Sequence, residues 1–158
     1  MKLTSDQSDA LIQIVRKVAV KEIRPLVRNI VLSEVDSKSA PDDLVTVADR
    51  AAELAIAAGV RDLLPDAAIV GEEAVAADKS VLDRVGSGQV VVIDPIDGTW
   101  NFAHGIATYG VILAVIEDGE TVFGLLYDPG YDDWIVATKG QGAWFCDAKG
   151  KRRRLSLG

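Results

Sequence analysis

Asp94-Pro95-Ile96-Asp97-Gly98-Thr99 sets two carboxylates three positions apart, directly after the apolar run Val90 to Ile93. Pro95 prevents a simple continuation of strand pairing, and Gly98 permits a backbone turn that a side-chain-bearing residue resists. Such a turn can aim both carboxylates, a backbone carbonyl and the Thr99 hydroxyl at one point. Hard oxygens converging in this way suit Mg²⁺ or another hard divalent cation, whereas thiolate and imidazole ligands are not on offer in the segment.

The elements that must position this motif follow from periodicity. Apolar residues from Leu11 to Val31 recur at helical spacing and predict a long helix from Ser5 to about Leu32, capped by Thr4 or Ser5 and kinked or divided at Pro25. Ser33 to Asp43 reads as a loop, in which Lys38 followed by Asp42-Asp43 is by itself an exposed connector. A second helix is expected from Leu44 or Thr46 to Leu64, with Val47, Ala51, Leu54, Ala55 and Ala58 facing inward and Asp49 favoured by the helix dipole in its first turns. Ala67 to Val70 is a short strand ending at Gly71-Glu72-Glu73, two acids that are either solvated surface or one inward and one outward. Ala74 to Arg84 reads as a helical turn and loop, and the central strand as Gln89 to Ile93. Thr99 could cap a short helix. Tyr109–Ile116 and Thr121–Tyr127 form a hairpin, followed by strands at Trp134–Thr138 and Ala143–Cys146. Helices first and meandering strands after them predict an α+β fold, two N-terminal helices packed on a largely antiparallel sheet.

Composition narrows the function classes. The chain has 158 residues, 49% of them apolar and 26% charged, which suits one globular domain. Its 17 cationic and 24 anionic residues give a net charge of −7, which argues against a general affinity for nucleic acid or an anionic membrane. Cys146 has no second cysteine to pair with, and no signal-peptide pattern opens the chain, so a reducing cytoplasm is expected. No apolar run approaches the roughly 20 residues that span a bilayer. His104, the lone histidine, reads as a loop or packing residue, Cys146 as packing, Trp100, Trp134 and Trp144 as anchors, and the cationic run Lys149 to Arg154 as a solvated strand edge.

Other signatures fail. An EF-hand needs acids at its third and twelfth positions, where counting from Asp94 finds Ile96 and Gly105. Phosphatases with an aspartyl nucleophile space their aspartates by two, not three. Neither a P-loop nor a helical His-Glu-x-x-His is present.

The segment Asp94 to Phe102, together with Gly71-Glu72-Glu73 after a strand, Lys38, Asp43-Leu44-Val45-Thr46 and Ala48-Asp49, resembles the inositol monophosphatase family of Mg²⁺-dependent, lithium-sensitive phosphatases. The resemblance extends from Ser37 to Leu157. It implies that Glu72, Asp94 and the Ile96 carbonyl hold one metal, that Asp94 bridges to a second also bound by Asp97, and that a weaker third lies near Glu72. It further implies that Thr99 and Glu72 position the attacking water, that the Gly98 and Thr99 amides bind phosphate, that Lys38 and Asp49 line the site, and that Glu73 is a supporting acid. In-line attack by metal-activated water on a small phosphorylated alcohol or sugar, inositol monophosphate foremost, is the implied reaction.

Members of that family carry a second α/β half, with a Trp-Asp pair that completes the second metal site. Asp132-Asp133-Trp134 has the reverse order and is no substitute. Residues 1–158 are therefore expected to form one α+β domain equivalent to the family's N-terminal half, binding metal weakly and turning over little. The alternative is a noncatalytic, cation-binding module that self-associates, as a homodimer or otherwise, through an apolar face.

Overall fold

Thr4 starts the first helix by accepting the Gln7 amide hydrogen while the Gln7 side chain accepts that of Thr4, a reciprocal cap. From there α1 (Ser5–Val18) buries Leu11, Ile12 and Val15. The computed structural model describes residues 3–29, 35–37 and 44–156. The α-helical part is shorter than the periodicity predicts: it widens into a π turn at Ala19–Ile23 and tightens into a 3₁₀ turn at Arg24–Leu26. Pro25 lacks an amide donor and its ring crowds the turn before it, so the regular ladder ends there. The predicted continuation to Leu32 lies partly outside the described residues.

Two short strands take up residues expected as loop or helix start: β1 (Val35–Ser37) pairs antiparallel with β2 (Leu44–Thr46). Thr46 then caps α2 (Val47–Leu63), in a reciprocal arrangement with Asp49. The inner face of α2 differs from the expected one. Ala48, Asp49, Ala52, Glu53, Ile56, Ala57 and Val60 are buried, while Leu54 is 71% exposed and Val47 and Ala58 face solvent. A hydrophobicity stripe assigns acids to the surface, but both acids here are anchored by hydrogen bonds inside, and they set the rotation of the helix.

The main sheet has seven strands in the order β3 (Ala68–Gly71), β4 (Gln89–Asp97), β5 (Gly110–Glu117), β6 (Glu120–Asp128), β7 (Asp133–Thr138), β8 (Gly142–Cys146) and β9 (Arg152–Leu155). Among the described residues only β3 and β4 pair in parallel; the rest of this sheet is an antiparallel meander. The expected α+β architecture is therefore present. Alternation along β5 and β6 turns Val111, Leu113, Val115, Phe123, Leu125 and Tyr127 toward α1 and α2, forming the main core. On the opposite face, α3 (Glu72–Ala77) and a 3₁₀ segment at Lys79–Gly86 cover Val70 and Val90 with Val75, Val81 and Val85. Farther along that face Leu126 is 50% and Ile135 38% exposed.

Arg16 on α1 makes two hydrogen bonds to Asp132, whose carboxylate also accepts the Tyr127 hydroxyl, while Arg24 donates to the Pro129 carbonyl. This cluster pins the end of the first helix to the turn between β6 and β7. Arg152, Arg153 and Arg154 lie exposed on the edge strand β9, over the Trp144 and Phe145 rings, as expected for a cationic edge. Among the described residues no helix is long and apolar enough to cross a membrane.

Candidate active site

The spacing of Asp94 and Asp97 would put them on opposite faces of a regular strand. The strand is not regular. Asp94 pairs with Ile112 and Asp97 with Gly110, so three steps on β4 match two on β5, and the register shifts between the two aspartates. A bulge at Pro95-Ile96 absorbs the extra residue and returns Asp97 to the face of Asp94. It also explains how β4 continues through Pro95 to Asp97, past the predicted end at Ile93: a proline that cannot donate to the ladder is tolerated at a bulge. Ile96 is fully buried toward α2, which fixes the bulge in the core.

Beyond Asp97 the chain turns at Gly98, whose φ of 90° is left-handed and where a Cβ would stand 3.0 Å from the Thr108 carbonyl. Both constraints require glycine there. Gly98 is the N-cap of α4 (Thr99–Ala103), so Thr99 is the first helical residue and not the cap. Its hydroxyl lies instead 2.9 Å from the Ile96 carbonyl oxygen and 3.0 Å from Asp49 Oδ1. Asp49 Oδ2 accepts the Thr46 amide and hydroxyl hydrogens, at 2.8 and 2.5 Å. Burial pushes the Asp49 carboxyl above its ordinary range, against the opposing pull of bonds from Thr46 and Thr99. Asp49, Thr99 and the Ile96 carbonyl thus form one hydrogen-bonded group linking α2, α4 and the bulge.

A second group gathers at Asp94. Burial, then bonding to and repulsion by Glu72, then the charge of Asp97 push the Asp94 carboxyl up to about 8. Asp94 Oδ1 is buried and has no hydrogen-bond partner among the described residues. A carboxyl group crowded by two others, with a buried oxygen unbonded among the described residues, disfavours its own charged form, and the donors are all hard oxygens, so these residues fit a divalent cation that would offset that charge. Among the described residues no three His, Cys, Asp or Glu side chains stand together at metal-holding separation. An ion at Asp94 would accordingly draw on the Ile96 carbonyl, which keeps a second lone pair, and on water as well as on carboxylates.

Glu72 opens α3 directly after β3, and Glu73 follows it; both are half-buried. Lys38 lies outside the described residues. His104 stacks on Trp100 with ring centroids 4.0 Å apart, and its Nδ1 is 2.7 Å from the Trp100 carbonyl oxygen, in keeping with a local packing role. Cys146 is buried, and Trp134 is 8% exposed within the main core.

Sequence reasoning passed over Glu53. This residue is buried on α2, and its Oε2 and Oε1 accept the Glu73 and Ala74 amide hydrogens at 2.7 and 3.1 Å. The available signal was its position four residues after Asp49, which places both acids on one helix face.

The family model that matches the chain, described as the inositol monophosphatase family, spans residues 5–157. A fructose-1,6-bisphosphatase/inositol-1-monophosphatase of Thermotoga maritima is 34% identical over 125 residues, 79% of this chain and 44% of its own. An inositol-1-monophosphatase of Bacillus subtilis is 35% identical over 117 residues, 73% of this chain and 42% of its own. The solved structure of an IMPase from Thermotoga maritima superposes with a TM-score of 0.78 at 32% identity, over 96% of this chain and 54% of that one. The chain thus spans about half the length of the relatives it matches. With the family model matching nearly every residue, this chain belongs to the inositol monophosphatase family.

Proposed function

We propose that the chain is the cation- and phosphate-binding half of a Mg²⁺-dependent phosphomonoesterase acting on a small phosphorylated alcohol or sugar, inositol monophosphate foremost. The observation that carries this reading is the buried Asp94 oxygen, unbonded among the described residues, in a carboxyl group crowded by Glu72 and Asp97. Glu72, Asp94 and the Ile96 carbonyl would hold one Mg²⁺, Asp94 and Asp97 a second, with Glu73 as a supporting acid. When bound, the cation supplies positive charge for the phosphoryl oxygens and makes water more acidic.

The chain's own residues do the positioning. The Thr99 hydroxyl can donate its one proton to Asp49 or to the Ile96 carbonyl, and would accept a hydrogen from an attacking water that Glu72 would also orient. Asp49 holds the hydroxyl in that orientation. The left-handed Gly98 brings backbone close to the site, where its amide and that of Thr99 would donate to phosphate oxygens. Lys38 would add a cation beside them. Relatives named for inositol monophosphate and fructose 1,6-bisphosphate support these two as first substrates. Lithium sensitivity, a homodimeric assembly and a cytoplasmic location belong to the same reading.

The test is Mg²⁺-dependent phosphate release from inositol 1-phosphate and fructose 1,6-bisphosphate, run beside a cation-binding titration on the 158-residue chain of verified mass. Saturable cation binding with little turnover is expected, because residues that recognise the alcohol lie on the family's other half. Rapid release by this chain alone would overturn that division of labour, and failure to bind any divalent cation would overturn the whole reading. A second reading, a noncatalytic self-associating module, is favoured by one observation: the exposed Leu126 and Ile135 on the outer sheet face.

A further inference from the structure

We propose that Glu53 is a positioning residue for the cation site: by accepting the Glu73 and Ala74 amide hydrogens it fixes the first turn of α3 and aims Glu72 at Asp94. The inference rests on the cation site proposed above. It starts from a helix that lacks the usual start. Gly71, the N-cap of α3, has no side chain to satisfy the free amides, and no side-chain cap is made by its neighbours in sequence. The carboxylate arrives from another helix, eighteen residues earlier, and takes two adjacent amides with its two oxygens. A charged acceptor at a helix start is favoured both by the stronger hydrogen bonds and by the dipole.

Gly71 is what admits it. A Cβ there would lie 2.3 to 2.6 Å from the Glu53 carboxyl atoms, closer than any real contact. The backbone of Gly71, at φ −100° and ψ 153°, is one that any residue adopts, so glycine is needed here for the space and not for the turn. The sequence Gly-Glu-Glu thus carries a buried contact as well as two acids. Glu72 is the residue between the glycine that makes room and the amides that are held, and its Cα–Cβ direction is set by the peptide planes on either side. Glu53 holds the amides that follow Glu72, so the role proposed for it runs through Glu72. Supporting groups of this kind typically change metal affinity by about tenfold to a hundredfold when removed.

The experiment uses the full chain. Amide hydrogen exchange at Glu73 and Ala74 is read by NMR, Mn²⁺ affinity by EPR titration, and the fold by circular dichroism. Glu53→Gln, which can accept only one of the two amides, is expected to speed exchange at Glu73 and Ala74 and to weaken Mn²⁺ binding by about tenfold or more. Gly71→Ala, which displaces the carboxylate while leaving it in the chain, is expected to do the same, and the two together to cost little more than either alone. Leu11→Ala, a core substitution on α1 that touches neither Glu53 nor the α3 amides, is expected to lower the melting temperature and leave Mn²⁺ affinity unchanged. Affinity within twofold of wild type in either folded variant, despite faster exchange, would overturn the proposal, as would unchanged exchange in Glu53→Gln. A wild-type chain that binds no Mn²⁺ would overturn the cation site itself, and this inference with it.

Discussion

The Thr99 hydroxyl lies 3.0 Å from Asp49 Oδ1, joining the first residue of α4 to the first turn of α2 across fifty positions of sequence. Asp49 is fully buried, so its oxygens depend on protein donors. Thr99→Ala leaves Oδ1 without this donor and is expected to destabilise the chain by about 1–3 kcal/mol. Thr99→Ser keeps the hydroxyl and should recover most of the loss, as read by urea denaturation.

Asp94→Asn is expected to stabilise the chain when cations are removed. The substitution replaces a carboxyl group whose charged form is penalised by burial and by Glu72 and Asp97 with a neutral amide of the same shape. A gain of about 1 kcal/mol would raise the melting temperature by roughly 2–4 °C for a chain of this size. In EDTA the variant should melt above wild type, and added Mg²⁺ should raise the melting temperature of wild type alone.

The acid limb of stability should depend on Asp132. The Arg16 bond, helped by the Tyr127 hydroxyl, holds its carboxyl below the ordinary carboxylate range, against a smaller opposing effect of burial. A lowered folded pKa means that the stabilisation is complete above the unfolded value, near 3.8, and is lost as pH falls through the lowered folded value. Asp132→Asn should therefore lower stability at pH 7 and flatten its fall below pH 4. Asparagine accepts the left-handed backbone at φ 56° as readily as aspartate, so the comparison isolates the charge.

The outer sheet face makes a separate prediction. Leu126→Lys and Ile135→Lys should leave the melting temperature within about 2 °C of wild type, because both positions are substantially solvated. If the face drives self-association, the double variant will sediment as a smaller species than wild type at the same concentration.

Much of this arrangement was legible because the chemistry sits in one contiguous stretch. Asp94 to Thr99 offers several hard oxygens in one short segment, and the meander from Gly110 to Cys146 follows from alternation and glycine turns. The rotation of α2 was not legible: its alanine-rich surface gives a shallow hydrophobic stripe, and the burial of Asp49 and Glu53 is decided by partners at Thr99, Glu73 and Ala74 that no local pattern contains. The same holds for Thr99, a plausible cap by residue type, which Gly98 displaces from that role. The bulge at Pro95-Ile96 was half legible, since proline signals a broken ladder but not that Asp97 returns to the face of Asp94. The pairing of Val35–Ser37 with Leu44–Thr46 joins segments too short to show a period.

An EPR titration of Mn²⁺ into the wild-type chain and Asp94→Asn tests the Asp94-centred cation site most directly. Saturable binding by wild type, displaced by Mg²⁺ and weakened at least about tenfold by the substitution, is the expected result. Equal binding by both proteins, or none by wild type, would contradict it.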